Sequence, residues 1–142
     1  MLYIEGDTAG TWPLTVRVLV RRGDLDLVLQ HYPSKSTIAF PAPFAASQSD
    51  ELPEAVTGWG DGERSVMSAR LRVDDDVLNQ VSALPTANYE ANWDMAVYPP
   101  ESNEWIACVV PHENMVMVGD DCLAGALGDA GLNVSSEPPE WW

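Results

Sequence analysis

Charge is unevenly distributed along this chain. All seven basic residues lie within the first 72 positions, where nine acidic residues leave a net charge of −2. From residue 73 onward there are thirteen acidic residues and no Lys or Arg, which accounts for the rest of the total of −15. The second part cannot neutralise itself, so folding it compactly works against its own repulsion. Nucleic acids and anionic membranes are poor partners because both would be repelled, whereas a basic protein, a cation or high salt would offset the repulsion.

Apart from its charge, the composition is that of one globular domain. The chain has 142 residues, of which 46% are hydrophobic, and it includes six Trp and four Tyr. A domain of this length buries roughly two-thirds of the surface that its unfolded chain exposes. No stretch approaches the ~20 consecutive apolar residues that a membrane span needs. We therefore expect a single domain over residues 1–142, with a tail at 133–142 that contains Pro and Trp.

The cellular compartment is predicted from the N-terminus and the cysteines. Residues 1–7 lack the positive start and apolar run of a secretory signal, which favours the cytoplasm. Two cysteines, Cys108 and Cys122, suit that compartment as free thiols that are buried as small hydrophobic side chains.

Alternating hydrophobic residues and short apolar runs together predict six strands. The first two are expected to form an antiparallel hairpin around a turn at residues 21–24. The segment 105–110 is apolar throughout, which is typical of a central strand that is covered on both faces. The six predicted strands span residues 14–20, 25–32, 65–73, 93–98, 105–110 and 115–118.

Acidic runs precede the two clearest helices. Asp74–Asp76 opens a helix to about residue 84, with its apolar side chains at helical spacing, and Asp120–Asp121 opens another to about residue 132. A short helix at 50–56 is a further prediction. The order of elements predicts an α+β fold: a mixed or mainly antiparallel sheet of about six strands with two helices packed on one face.

Sequence motifs for catalysis fail when their chemistry is checked. His112-Glu113 begins like a zinc-protease HExxH motif, but the position of the second His is Val116. Cys108 and His112 are roughly 13 Å apart in extended chain, too far for a thiol and its base. The Gly-rich residues 58–63 lack the Lys-Ser/Thr of a phosphate-binding loop. We expect no catalytic set and no cofactor, although an enzyme whose site is not local in sequence stays open.

The acidic runs also have a structural interpretation. Carboxylates at Asp74–Asp76 and Asp120–Asp121 lie where they would cap helices and interact favourably with the helix dipole. Neither run has the alternating oxygen ligands of a calcium loop. We expect no specific metal site, and a weak cation site stays an alternative.

Large aromatic residues alternate with carboxylates in two regions of the chain. Aromatic anchors surrounded by charge are common in tight protein interfaces, and carboxylates that face Lys or Arg raise association rates. The loop at 99–104 has no apolar anchor and should be exposed. The residues predicted to contact a partner are Trp59, Asp61, Glu63, Glu90, Asp94, Glu101, Glu104, Trp105 and Glu113.

A short, acidic α+β chain without a catalytic set resembles the immunity proteins of bacterial toxin–immunity systems, including contact-dependent growth inhibition. The resemblance lies in size and charge over the whole chain and includes no diagnostic motif. It implies a cytoplasmic protein, monomeric when free, that binds and blocks a basic toxin domain with nuclease activity. The alternatives are a halophile's protein whose acidity is solvation and a nucleic-acid mimic that inhibits a DNA- or RNA-binding protein.

Overall fold

The computed structural model describes residues 1–31, 48–49, 67–84, 94–110 and 113–141. These residues form eight strands and three α-helices, and a 3₁₀ turn at Asp121–Leu123 leads into the third helix. In chain order the elements are β1 Leu2–Glu5, α1 Thr8–Val20, β2 Asp26–His31, β3 Gln48–Ser49, β4 Met67–Arg72, α2 Asp75–Ser82, β5 Asp94–Tyr98, β6 Ala107–Val110, β7 Met115–Val118, α3 Ala124–Asp129 and β8 Val134–Ser135.

All the strands belong to one sheet in the order β3-β4-β2-β5-β6-β7-β1-β8, and every neighbouring pair is antiparallel. The predicted α+β class and mainly antiparallel sheet are therefore confirmed. Because the pairs are antiparallel, β4, β5 and β7 end at the same edge of the sheet at which β2, β6 and β1 begin. We call this edge the acidic end, because the segments that meet there carry carboxylates such as those of Asp24, Glu101 and Asp120.

Both faces of the central strands are buried. One face carries Leu27, Val97 and Val109, which belong to the main core together with residues of all three helices. The opposite face carries a smaller cluster of Val28, Ala96, Tyr98 and Cys108. Every residue of β5 and β6 is buried, so the prediction of a central, doubly covered strand at 105–110 is confirmed.

The predicted hairpin at 14–32 is wrong in its first half, because residues 14–20 lie in α1. The Asp7 side chain caps this helix by accepting a hydrogen bond from the amide of Ala9. Trp12, Val16 and Leu19 share one helical face and are at most 3% exposed. Burial of that face outweighs the β-branched residues and Pro13, which favoured a strand or a break.

The other predicted strands and the helix that follows Asp74 are confirmed with shifted ends. Strands lie within 25–32, 65–73, 93–98, 105–110 and 115–118, and α2 lies within 74–84. The helix expected from residue 120 is shorter, because a 3₁₀ turn and α3 together end at Asp129. The short strands β1, β3 and β8 were not predicted. The helix expected at 50–56 lies outside the described residues.

Candidate functional site

The loop between β5 and β6, residues 99–106, is built on a tight turn. We call it the acidic loop. The amide of Ser102 donates to the carbonyl of Pro99 at 3.1 Å, and Glu101 has a left-handed φ of 61°. Pro100 followed by a left-handed residue matches a type II turn, in which Gly or Asn usually takes that position. A side chain there costs about 1–2 kcal/mol relative to ordinary backbone, so Glu101 occupies a position that conformation alone would assign to glycine.

Arg70, which lies in β4, forms hydrogen bonds with the backbone of the acidic loop. Its Nη2 donates to the carbonyls of Pro99 at 3.3 Å and Ser102 at 3.1 Å. Its guanidinium carbon lies 5.4 Å from the centre of the Tyr98 ring, within the range of a cation–π interaction. The two carbonyls and the ring together fix the loop against the sheet.

Arg70 also belongs to a network of ion pairs at the acidic end, which consists of two arginines and two aspartates. Arg70 Nε and Arg72 Nε donate to opposite oxygens of Asp26, at 2.9 Å and 2.8 Å. Arg72 Nη1 also lies 3.3 Å from Asp24. Burial by itself would raise the pKa of Asp26, but the hydrogen bonds from Arg72 and Arg70 outweigh it and lower the pKa below its ordinary value. The hydrogen bond to Asp26 likewise raises the pKa of Arg72.

The acidic loop presents two carboxylates on this fixed backbone. Glu101 and Glu104 are exposed, and the amide of Glu104 donates to Ser102 Oγ at 3.0 Å. Trp105 is half-buried and packs against the smaller cluster on the sheet. The predicted contact residues Glu101, Glu104 and Trp105 thus lie together, two of them exposed and one partly so.

The structure separates two other predicted contact residues from this loop. Asp94 is only 8% exposed, because it lies in β5 between β2 and β6 and opposite Gln30. The prediction that Asp94 contributes to an exposed surface is therefore wrong. Glu113 is half-buried and follows β6, so a four-residue strand of about 13 Å separates it from the acidic loop. Trp59, Asp61, Glu63 and Glu90 lie outside the described residues.

Other carboxylates that sequence patterns did not connect with the loop lie at the same edge. The turn before β2 carries Asp24, the segment between β4 and α2 carries Asp74–Asp76, and the segment after β7 carries Asp120–Asp121. Some of them have structural roles as well. Asp74 and Asp120 cap their helices, as predicted, and Asp121 pairs with the N-terminal amino group of Met1. Only the strand order brings these segments together.

Burial governs the chemistry of Cys108, which lies in the smaller cluster on the sheet. Burial, followed by the nearby Asp94, raises the pKa of the Cys108 thiol to about 12, so it is protonated at neutral pH and is a poor nucleophile. Within the ranges that the structure describes, no three His, Cys, Asp or Glu residues are grouped so as to hold a metal ion. Nor is any helix there long and apolar enough to cross a membrane.

Comparison with known proteins finds no counterpart: no family model matches the chain, and no curated protein or solved structure is significantly similar to it.

Proposed function

We propose that this protein is a cytoplasmic inhibitor of the immunity-protein kind, without catalytic activity of its own. Its acidic end binds a basic toxin domain, a nuclease, and occupies the cationic groove in which the nuclease would hold nucleic-acid phosphates. The free protein is a monomer. The observation that carries the proposal is Glu101, a charged and exposed residue in a left-handed turn position where glycine would be less strained.

Rigidity of the acidic loop supports a binding role. Arg70 and the turn hydrogen bond hold the loop in one conformation before any partner arrives. A preorganised loop loses less conformational freedom on binding, so more of the attraction between charges is retained as affinity. Trp105, half-buried in the same loop as the two glutamates, is an aromatic residue of the kind enriched at binding hot spots.

The charge of the whole chain supports the same role. The net charge of −15 speeds association with a basic protein and slows association with other acidic surfaces. Two glutamates on a fixed loop can face the Lys and Arg side chains that line a nuclease groove. Such an interface would weaken as salt rises, because screening acts on exposed charges.

The proposal is tested by capturing the partner from the native host. The tagged protein is used as bait at about 0.1 M and about 1 M salt, where the Debye length falls from about 10 Å to about 3 Å. We expect one stoichiometric basic protein at low salt and its loss at high salt. The captured protein should cleave nucleic acid, and added inhibitor should stop the cleavage.

A matched pair of double variants identifies the surface. Glu101→Gln/Glu104→Gln removes two charges from the acidic loop, and Glu5→Gln/Asp129→Asn removes two exposed charges elsewhere. Loss of the captured protein with the first pair alone supports the proposal. Equal recovery with both pairs, or capture of no basic protein by the wild type, contradicts it.

The halophile alternative is favoured by one observation: the chain has a single Lys but 22 acidic residues. It predicts a protein that unfolds at low salt and gains stability steeply up to molar KCl. Urea unfolding at about 0.1 M and about 1 M KCl separates the two, because a binding protein needs to be folded already at the lower concentration.

A further inference from the structure

A cavity of about 270 Å³ opens beside the acidic loop at the acidic end. Leu19, Leu25 and Leu123 in its lining are at most 5% exposed, and Ile106 is partly buried. Its volume is just below the roughly 300 Å³ at which sites for drug-sized ligands begin. We call this cavity the pit, and its size suits a single side chain.

The walls of the pit are held in place by the backbone. The pit lies where the end of α1, the turn before β2, the acidic loop and the 3₁₀ turn meet. Each wall has its own backbone hydrogen bond: Arg22 N to Leu19 O at 3.0 Å, Val73 N to Leu25 O at 2.8 Å, Gly119 N to Ile106 O at 2.9 Å and Leu123 N to Asp120 O at 3.2 Å. The pit is therefore preformed.

Charged groups at the pit give it a negative balance. The lining includes the carboxylates of Asp24 and Asp120 and one guanidinium, that of Arg22. Asp24 accepts from Arg72 through one oxygen, and Asp120 accepts from the amide of Cys122 through one oxygen. In the part of the chain that the structure describes, no other hydrogen bond engages the second oxygen of either carboxylate.

An apolar floor below carboxylates suits a side chain with an aliphatic stem and a cationic head. We propose that the pit receives an arginine side chain of the basic partner, an inference that rests on the proposed function. Arginine fits better than lysine, because its planar guanidinium carries five donors and can reach two carboxylates at once. Arginine is also enriched and lysine depleted at protein interfaces.

The pit and the acidic loop belong to one continuous surface. Ile106 in the pit follows Glu104 by two residues. Asp24 at the pit pairs with Arg72, which shares Asp26 with Arg70, the residue that holds the loop. A partner could therefore place one arginine in the pit while other basic side chains meet Glu101 and Glu104.

The pit is tested first without the partner, by NMR titration of the full-length protein. The probes are N-acetyl-arginine amide, its lysine counterpart and the uncharged norleucine counterpart. We expect saturable shifts of the Gly23, Ile106 and Leu123 amides with the arginine probe, in the millimolar range. The lysine probe should bind more weakly and the norleucine probe more weakly still.

Three variants test the roles of the lining. Asp120→Asn keeps a capping oxygen but loses the charge, and should weaken the arginine probe about threefold. Arg22→Gln removes the like charge and should strengthen it by a similar factor. Gly23→Leu places a bulky side chain at a residue that lines the pit and should hinder entry of the arginine probe. The fold should tolerate it, because a Cβ at Gly23 meets no heavy atom within 4 Å and its φ is not left-handed.

Absence of saturable shifts at the pit overturns the inference, and so does equal binding of the lysine or norleucine probe. The closing measurement uses the captured complex, in which Gly23→Leu should weaken partner binding at least tenfold. Unchanged affinity in that variant overturns the inference while the proposed function stands. Failure to capture any basic partner defeats the proposed function, even if the arginine probe binds the pit.

Discussion

Replacing Glu101 by glycine is expected to stabilise the fold and to weaken partner binding at the same time. Relief of the left-handed backbone, with φ of 61°, is worth about 1–2 kcal/mol. The greater freedom of glycine in the unfolded chain takes back about 0.4–1 kcal/mol. Glu101→Gly also removes the attraction between Glu101 and Arg72, but both groups are exposed, so this lowers the free energy of unfolding only slightly. The free energy of unfolding should therefore rise by about 0.7 kcal/mol.

Urea unfolding followed by Trp fluorescence measures this change. With a slope of about 2 kcal/mol per molar urea, the midpoint should rise by about 0.3 M. Glu101→Gln keeps the backbone and removes only the charge, so its midpoint should stay unchanged while partner binding weakens. Asn114→Gly is the matched control for strain, because Asn114 has a φ of 48° but asparagine tolerates this region. Its gain should be smaller.

A lower midpoint for Glu101→Gly would refute the reasoning, since the turn would then carry no strain that glycine relieves. Unchanged partner affinity in both Glu101 variants would show that the strained residue is not kept for binding.

Three further predictions concern the groups around the site. Arg70→Gln should lower the free energy of unfolding by about 2 kcal/mol and speed hydrogen exchange at the amide of Glu104; unchanged exchange would show that Arg70 does not hold the loop. Because the folded pKa of Asp26 is lowered, its contribution to stability is complete above the unfolded pKa of about 3.9 and is lost as pH falls through the folded pKa. The stability difference between wild type and Asp26→Asn should therefore shrink in acid, and a difference that grows would contradict this sign. The prediction that both cysteines are buried is wrong for Cys122, which is exposed and should react with a thiol reagent in the native protein. Buried Cys108, with a pKa of about 12, should react only on unfolding, and rapid reaction of both thiols would contradict its burial.

Local sequence patterns predicted the strands and helices in which the spacing of hydrophobic residues matches the residues that the fold buries. Alternation located β2, β4 and β5, short apolar runs located β6 and β7, and the capping Asp74 located the start of α2. Alternation failed at α1, because Val16, Val18 and Val20 follow the period of two of a strand, whereas the helix buries Trp12, Val16 and Leu19 at helical spacing. Only contact with the sheet decides between the two. Strands of two residues, such as β8, are too short to show an alternating hydrophobic pattern.

The candidate site was predictable only in part, for the same reason. The absence of an apolar anchor at 99–104 indicated that Glu101 and Glu104 lie in an exposed loop. The role of Arg70 was not visible, because the carbonyls that it holds lie about 30 residues later in the chain. As a charged residue, Asp94 was predicted to lie at the surface, but the pairing of β5 with β2 places it inside the sheet. The acidic end as a whole depends on strand order, which no local pattern contains.

The most direct test of the central claim is the affinity of the captured partner, measured by calorimetry. Wild type, Glu101→Gln/Glu104→Gln and Glu5→Gln/Asp129→Asn are compared at about 0.1 M and about 1 M salt. Binding through the acidic end predicts that the loop variant loses at least tenfold in affinity at low salt and that the control pair loses little. At high salt, the affinity of the wild type for the partner should fall toward that of the loop variant. Equal losses in the two variants, or an affinity independent of salt, would contradict the account.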